Sequence, residues 1–348
     1  MKADGALSSR RYLWLLALVA ASFSALGIGR FALACYRARQ QRDAAGAITD
    51  LGGRVSYQLD AGGPCGGGAA GHTASGPAWL RRLLGDDFFD DVLYAEVNTD
   101  EELANVRYFP RLRSLCLCAP GRMLWSSVTD SGLKNIRYLT ELRELDLSST
   151  RVSDSALDNI VRPDRLESLY LTGTRVTDAE LVRIQSFPNL RRVCFDGTAI
   201  TDARLAELAI PAELCELGLA HTLITDMGLD SLRRFPHLRR LSLYGTGITD
   251  AGVAKLLRCP EVEFLQLGRT GVTDAAIRDL RRLACLKVLD VGETKITPEG
   301  VKRLQAALPR CQVLSGPPDV PTHLDLPDQG PPEPDEVCPP EENRGTQY

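Results

Sequence analysis

The chain has 348 residues, 44% of them apolar and 25% charged, the balance of a protein that buries a core. Lys plus Arg (41) nearly match Asp plus Glu (45), leaving a formal charge of -4 and arguing against the strongly basic domain of a nucleic-acid binder. Four His, and ten Cys without a CxxC pair, speak against multi-histidine metal centres, zinc ribbons and thioredoxin-type sites, so no metal and no cofactor is expected.

Residues 1–11 read as a short N-terminal tail, and residues 12–29 then run for eighteen positions without a charge. Arg30 interrupts them before Phe31-Ala32-Leu33-Ala34-Cys35-Tyr36 resumes the apolar run. At about 1.5 Å per residue this approaches the hydrocarbon thickness, and Arg30 can snorkel to the headgroups. Tyr12, Trp14 and Tyr36 fall where interfacial aromatics are expected. Residues 12–36 are therefore expected to form a transmembrane anchor, making the chain a single-pass membrane protein. The competing reading is a secreted protein or lipoprotein after cleavage near Ala34, because Ala32-Leu33-Ala34 has the small-x-small form of a cleavage site and Cys35 follows. Three Lys or Arg flank each side, so the positive-inside rule leaves the topology open.

Residues 37–59 carry a helix-forming stretch to Leu51, a stop at Gly52-Gly53, and an alternating, strand-like Arg54-Val55-Ser56-Tyr57-Gln58-Leu59. Residues 60–77 are a glycine-rich linker; no Lys-Ser/Thr follows GGPCGGG, so it is not a phosphate loop. Residues 78–111 are expected to hold an N-terminal cap and a degenerate repeat at Phe89-Asp90-Asp91-Val92-Leu93-Tyr94.

Residues 112–314 are periodic. The block Leu142-Arg-Glu-Leu145-Asp-Leu147-Ser-Ser-Thr150-Arg-Val152 recurs with its first apolar residue at Leu166, Leu190, Leu214, Leu238, Val262 and Leu286, every interval being 24 residues. Its ninth position is always Thr, from Thr150 to Thr294. An eighth copy starts at Leu112 and carries six extra residues within 118–127, and Cys311-Gln312-Val313 reads as a truncated last strand. Leu-x-Leu has period two, so Leu145 and Leu147 face one way while Glu144, Asp146 and Ser148 face the other. The Thr hydroxyl can satisfy backbone groups where the chain leaves the strand. Ser or Thr followed by Asp then caps a helix, as in Ser153-Asp154 and Thr177-Asp178-Ala179-Glu180. Neither strand nor helix can bury its apolar face alone, so the units must stack. From Ser315 to Tyr348, eight acidic residues, one Arg and nine of twenty Pro give a local charge of -7, read as a disordered acidic Pro-rich tail.

This LxxLxLxxTxIT pattern resembles the leucine-rich-repeat proteins over about residues 88–314. The resemblance implies an α/β fold, a leucine-rich-repeat solenoid (horseshoe) with parallel strands on the concave face and helices on the convex face, plus the N-terminal transmembrane helix. The span followed by Arg37-x-Arg39-Gln40-x-Arg42 and Ala47-Ile48-x-x-Leu51-Gly52-Gly53-x-Val55-x-Tyr57 is similar to the membrane-anchored leucine-rich-repeat proteins of planctomycete bacteria. So is Trp79-Leu80-Arg81-x-Leu83-Leu84-Gly85, whose Trp79, Leu83 and Leu84 would cover the open end of the stack.

Chemistry finds few candidates. His221 and His237 are the two histidines of the repeats, and neither stands in a recognisable order with a nucleophile and a carboxylate, so no enzyme is expected. The recurrent Asp154, Asp178, Asp202, Asp226, Asp250 and Asp274 read as helix-terminal carboxylates rather than a calcium row. The cysteines read as small buried hydrophobes or free thiols rather than a disulfide set. On the outward strand positions one group combines aromatics with Arg on adjacent strands: Arg240, Tyr244, Phe264 and Gln266. A second candidate is the insertion with Met123, Leu124 and Trp125, which equally could fold back on its own solenoid. The expected function is a non-enzymatic, membrane-anchored scaffold binding a protein partner through the concave face. The alternatives are a secreted or lipidated envelope component without a specific ligand, and a ribonuclease-inhibitor-like or F-box-type adaptor.

Overall fold

The computed structural model describes residues 29–57, 90–117, 126–153, 155–178, 182–207, 211 and 213–316. Among them eleven three-residue strands form one sheet in chain order: β1 (Arg54–Ser56), β2 (Tyr94–Glu96), β3 (Ser114–Cys116), β4 (Glu144–Asp146), β5 (Ser168–Tyr170), β6 (Arg192–Cys194), β7 (Glu216–Gly218), β8 (Arg240–Ser242), β9 (Phe264–Gln266), β10 (Val288–Asp290) and β11 (Gln312–Leu314). From β2 onward all neighbours are parallel, and β1 alone lies antiparallel to β2. The register puts like on like. Leu145, Leu169, Val193, Leu217, Leu241, Leu265 and Leu289 are paired strand to strand. All seven are buried and form one column through the core.

The threonine behaves as its position predicts. Thr150, Thr174, Thr198, Thr222, Thr246, Thr270 and Thr294 each donate the side-chain hydroxyl to the carbonyl three residues earlier, at 2.5 to 2.7 Å. The preceding residue is left-handed in all seven repeats, with φ between 52° and 67°. Gly173, Gly197 and Gly245 occupy three of these sites, and Ser149, His221, Arg269 and Glu293 the others. For a side-chain-bearing residue that conformation costs about 1–2 kcal/mol. It is held because the backbone N–H there donates to the next repeat, as from His221 to Tyr244 O at 2.7 Å and from Gly245 to Gly268 O at 2.8 Å.

The convex side departs from the expected regular helices. Its longest helix, Pro298–Ala307, has ten residues, with Thr297 as N-cap accepting from Gly300 N at 3.0 Å and Pro298 in the first turn. Several other segments, such as Gly228–Arg234 and Val182–Ser186, are 3-10 turns. With only 24 residues per circuit, a 3-10 turn rising about 2.0 Å per residue crosses the back of a repeat with fewer residues than an α-helix rising about 1.5 Å. The inward stripe survives: Leu157, Ile184, Leu205, Leu229 and Leu232 are all buried.

The N-terminal end is built differently from expectation. A helix over 29–50 runs without a break through the anticipated boundary at residue 36, then turns at Gly52-Gly53 into β1. Ala38, Gln41, Ala44, Ala45 and Ile48 are buried, and Gln41 Nε2 donates to Asp90 O at 2.9 Å. Ile48 joins the same cluster as Val92, Ala95 and Val97, so this helix closes the stack. A Cβ on Gly53 would stand 2.6 Å from Ile48 and 2.7 Å from Glu96 O, which explains a glycine there. The anticipated cap residues Trp79, Leu83 and Leu84 lie outside the described residues. The degenerate repeat is displaced by three positions from its reading. Val92, Ala95 and Val97, not Phe89, Val92 and Tyr94, occupy the inward sites, because Ala95 pairs with Leu115 in register. The cysteine expectation also needs correction: Cys116 and Cys285 are each disulfide-bonded, though not to one another, being about seven strand spacings apart, whereas Cys35, Cys194, Cys215, Cys259 and Cys311 are free.

Among the described residues no helix is long and apolar enough to cross a membrane. Residues 12–28 and the tail from 317 lie outside the described residues.

Leu219 is fully buried in the sixth of these repeats, counting from Val92. Leu219→Ala is expected to cost about 2–5 kcal/mol in urea unfolding; a loss below about 1 kcal/mol would remove it from the core.

Candidate protein-binding face

The concave face is formed by the first and third residues of each strand and the residue two positions beyond the third, such as Glu144, Asp146 and Ser148. Much of it is knitted together rather than open. Ser114 Oγ donates to Glu144 Oε2 at 3.0 Å, and Arg192 Nε donates to Ser168 Oγ at 2.8 Å. Asp196 Oδ1 accepts from Ala220 N at 2.7 Å, and Asp146 Oδ1 from Ser148 N at 2.8 Å. Tyr170 and Cys194 are buried, and burial pushes both side chains well above their usual pKa. Strands about 4.8 Å apart in matched register bring these side chains into contact with their counterparts one repeat away.

The predicted cluster splits in two. Arg240 and Phe264 are paired residues of β8 and β9, both half-buried, and the guanidinium stands 4.4 Å from the ring centroid. This is cation–π distance, and the pair presents a charged plane backed by an aromatic. Gln266, half-buried below them, has an amide oxygen with no hydrogen-bond partner among the described residues.

Tyr244 is not an exposed anchor. It is only 5% accessible. Its ring lies where a Cβ on Gly268 would come within 2.6 Å, and His221 meets it edge-on at 5.2 Å. The hydroxyl donates to Glu293 Oε1 at 3.4 Å, and burial first, then the Glu293 charge, raises the phenol pKa. Gly268 leaves a gap on the sheet face, and the tyrosine of the preceding repeat fills it. Trp125, with Met123 and Leu124, lies outside the described residues.

The aspartates keep the first-turn position expected of them and add a second job; of the expected row, Asp178 accepts only the Thr201 hydroxyl, at 3.1 Å, and Asp154 lies outside the described residues. Asp100, Asp130, Asp202, Asp226, Asp250 and Asp274 each bind the capping residue of the next repeat with both oxygens. One oxygen accepts its backbone N–H at 2.7 to 2.9 Å. The other accepts its hydroxyl at 2.5 to 2.8 Å. Beside four of these carboxylates sits a glycine, Gly132, Gly228, Gly252 or Gly300, where a Cβ would collide with the Asp oxygen. Each bridge joins an Asp to a capping residue 23 or 29 positions on in the next repeat, not to a group in the Asp's own helix. These carboxylates are therefore occupied, and among the described residues no group of three or more His, Cys, Asp or Glu is arranged to hold a metal. His221 packs on Tyr244, and His237 Nδ1 stands 3.4 Å from Glu261 at an exposed edge.

The family model described as Leucine Rich repeat matches residues 236–257 and 282–304, two stretches of the periodic region. No protein of curated function matches the chain. Among solved structures, an internalin (inlF) from Listeria monocytogenes is similar with 19% identity and a TM-score of 0.43, over 63% of this chain and 66% of its own. Internalin C2 (inlC2) from the same organism is similar with 17% identity and a TM-score of 0.44, over 66% of this chain and 86% of its own.

The aspartate bridges predict a graded response. Asp226→Ala removes the acceptor for both Thr249 N and Thr249 Oγ1 and is expected to cost roughly 1–3 kcal/mol; Asp226→Asn, which keeps one acceptor, is expected to cost less. Equal urea midpoints for Asp226→Ala and the parent would show that the bridge adds nothing. Acceptance from Thr297 backbone and hydroxyl, aided by Arg303, holds the Asp274 carboxyl below the usual range. A carboxyl depressed in the folded state contributes stability that is complete above the usual pKa of about 3.9 and fades as pH falls through its lower folded value. Thermal stability is thus expected to drop on acidification below about pH 4, and Asp274→Ala to flatten part of that drop.

Proposed function

We propose that this leucine-rich-repeat chain is a non-enzymatic, membrane-anchored scaffold that binds a protein partner on its concave face around Arg240 and Phe264. The observation that carries the reading is the contrast on that face. Ser114, Glu144, Ser168 and Arg192 are engaged with one another, whereas Arg240 and Phe264 stack as a half-accessible pair. Arg and aromatic side chains offered together are the usual anchors of interfaces. Arg240 adds charge recognition, so a carboxylate-bearing partner suits the pair.

Anchoring rests on the uncharged run of residues 12–29, long enough to cross hydrocarbon. The disulfide-bonded Cys116 and Cys285 favour an oxidising compartment for the repeats. A second reading, an envelope component without a specific ligand, draws on the self-satisfied hydrogen bonds of the β3–β6 half of the face, which leave little to recognise.

Crosslinking in intact cells is expected to recover one stoichiometric partner, and Arg240→Ala with Phe264→Ala to lose it while the urea midpoint stays near that of the parent. Tyr244→Ala is expected to act through stability instead. Recovery of bulk envelope material alone, or an unchanged yield from the double variant, would reject the concave site. Protease added to sealed cells is expected to digest the repeats; full protection would reverse the topology.

A further inference from the structure

The helix over 29–50 changes character at Arg37. Before it, Phe31-Ala32-Leu33-Ala34-Cys35-Tyr36 carries no charge, yet Phe31, Leu33 and Tyr36 are 53%, 48% and 59% accessible. At 100° per residue Leu33 and Tyr36 share one side of the axis and Phe31 points to the other, so the exposed apolar side chains lie on two opposite sides of the helix. A helix apolar on all sides belongs in a protein interior or in lipid. After Arg37 the pattern becomes one-sided. Ala38, Gln41, Ala44, Ala45 and Ile48 are buried against the end of the stack, in the i, i+3, i+4 spacing of an amphipathic helix. Arg37, Arg39 and Asp43 stay outside, with Arg39 Nε 3.8 Å from Asp43.

We infer that the membrane–water boundary crosses this helix at Arg37: residues 31–36 occupy the headgroup layer, and the residues from Ala38 onward are the solenoid's end cap. The inference rests on the anchor in the function proposed above and adds how the solenoid is attached to it. Lipid is the occupant because of what precedes the exposed turns in the sequence. Residues 12–29 carry no charge, and an eighteen-residue helical run of that kind would reach about 27 Å, close to the roughly 30 Å hydrocarbon core. Residues 31–36 then add about 9 Å, similar to one headgroup layer, where Phe and Tyr are favoured. Arg37 and Arg39 follow at the depth of the phosphates, which they attract.

Ala38 lies only about 3 Å along the axis from Tyr36, so the end cap of the stack follows the headgroup layer with no flexible linker between.

The test uses the full chain in phosphatidylcholine–phosphatidylglycerol vesicles, with photoreactive benzoylphenylalanine replacing Leu33 in one sample and Asp43 in another. Both positions are off the packed stripe, so neither replacement enters the core. The expected result is lipid adducts from position 33 and none from position 43. Equal labelling at both positions, or a crosslink from position 33 to a second copy of the chain, would overturn the boundary. Alkaline extraction of the same vesicles separates the two failures. A chain that resists extraction but gives no lipid adduct at position 33 sinks the boundary alone, whereas a chain released by alkali sinks the anchor and the boundary with it.

Discussion

A three-residue strand and one or two helical turns cannot hide an apolar face on their own, and everything else in this molecule answers that constraint. Each repeat presents inward residues at Leu142, Leu145, Leu147 and Val152 or their equivalents, and only the next repeat can cover them. Stacking by burial alone would tolerate slips, since one leucine column resembles another. Register is instead written in directional bonds. The left-handed residue before six of the seven threonines donates to the next repeat, and six aspartates that follow a cap receive from it with both oxygens. Hydrophobic burial supplies the drive, and these two polar ladders, on opposite sides of the Thr-x-Ile turn, set the spacing.

The same in-register stacking shapes the recognition surface. Identical strand positions lie side by side, so short polar residues there find partners one repeat away and withdraw from solvent, as Ser114 does with Glu144 and Ser168 with Arg192. Long side chains escape only where a neighbour is equally large, as Arg240 is held up by the Phe264 ring. Where the neighbour is glycine, even a tyrosine lies down: Tyr244 covers Gly268 and leaves the surface. What a concave face offers is thus decided by pairs across strands, not by single residues.

That rule explains what the sequence revealed and what it hid. The period of 24, the inward leucines, the threonine turn and the Thr297-Pro298 cap were all legible, because each depends on residues within one repeat. The aspartate bridge went unseen because its two ends are 23 or more residues apart and a helix-terminal carboxylate already has a sufficient local explanation. Tyr244 was misjudged for a similar reason: its burial depends on Gly268, 24 residues on, having no side chain. Val92 was missed as the start of the first unit because Ala95 stands where the other units have leucine or valine. The capping role of residues 38–48 was hidden behind a composition that suits any exposed helix, with Ala38, Ala44 and Ala45 too small to announce a buried stripe.

The two ends of the stack show how a repeat protein stops. A parallel sheet whose edge strand is exposed invites another copy to pair. At the first edge the chain reverses direction: β1 runs antiparallel to β2 and continues the helix whose Ile48 joins the cluster of Val92. Further growth there would need the stacking geometry of a parallel repeat, which an antiparallel strand does not offer. At the other edge, the longest convex helix, Pro298–Ala307, buries Leu304 and leads into β11, whose Gln312 is exposed and whose Val313 is only partly covered. Among the described residues, then, the first edge is closed by a reversed strand and a packed helix, and the last by one longer helix.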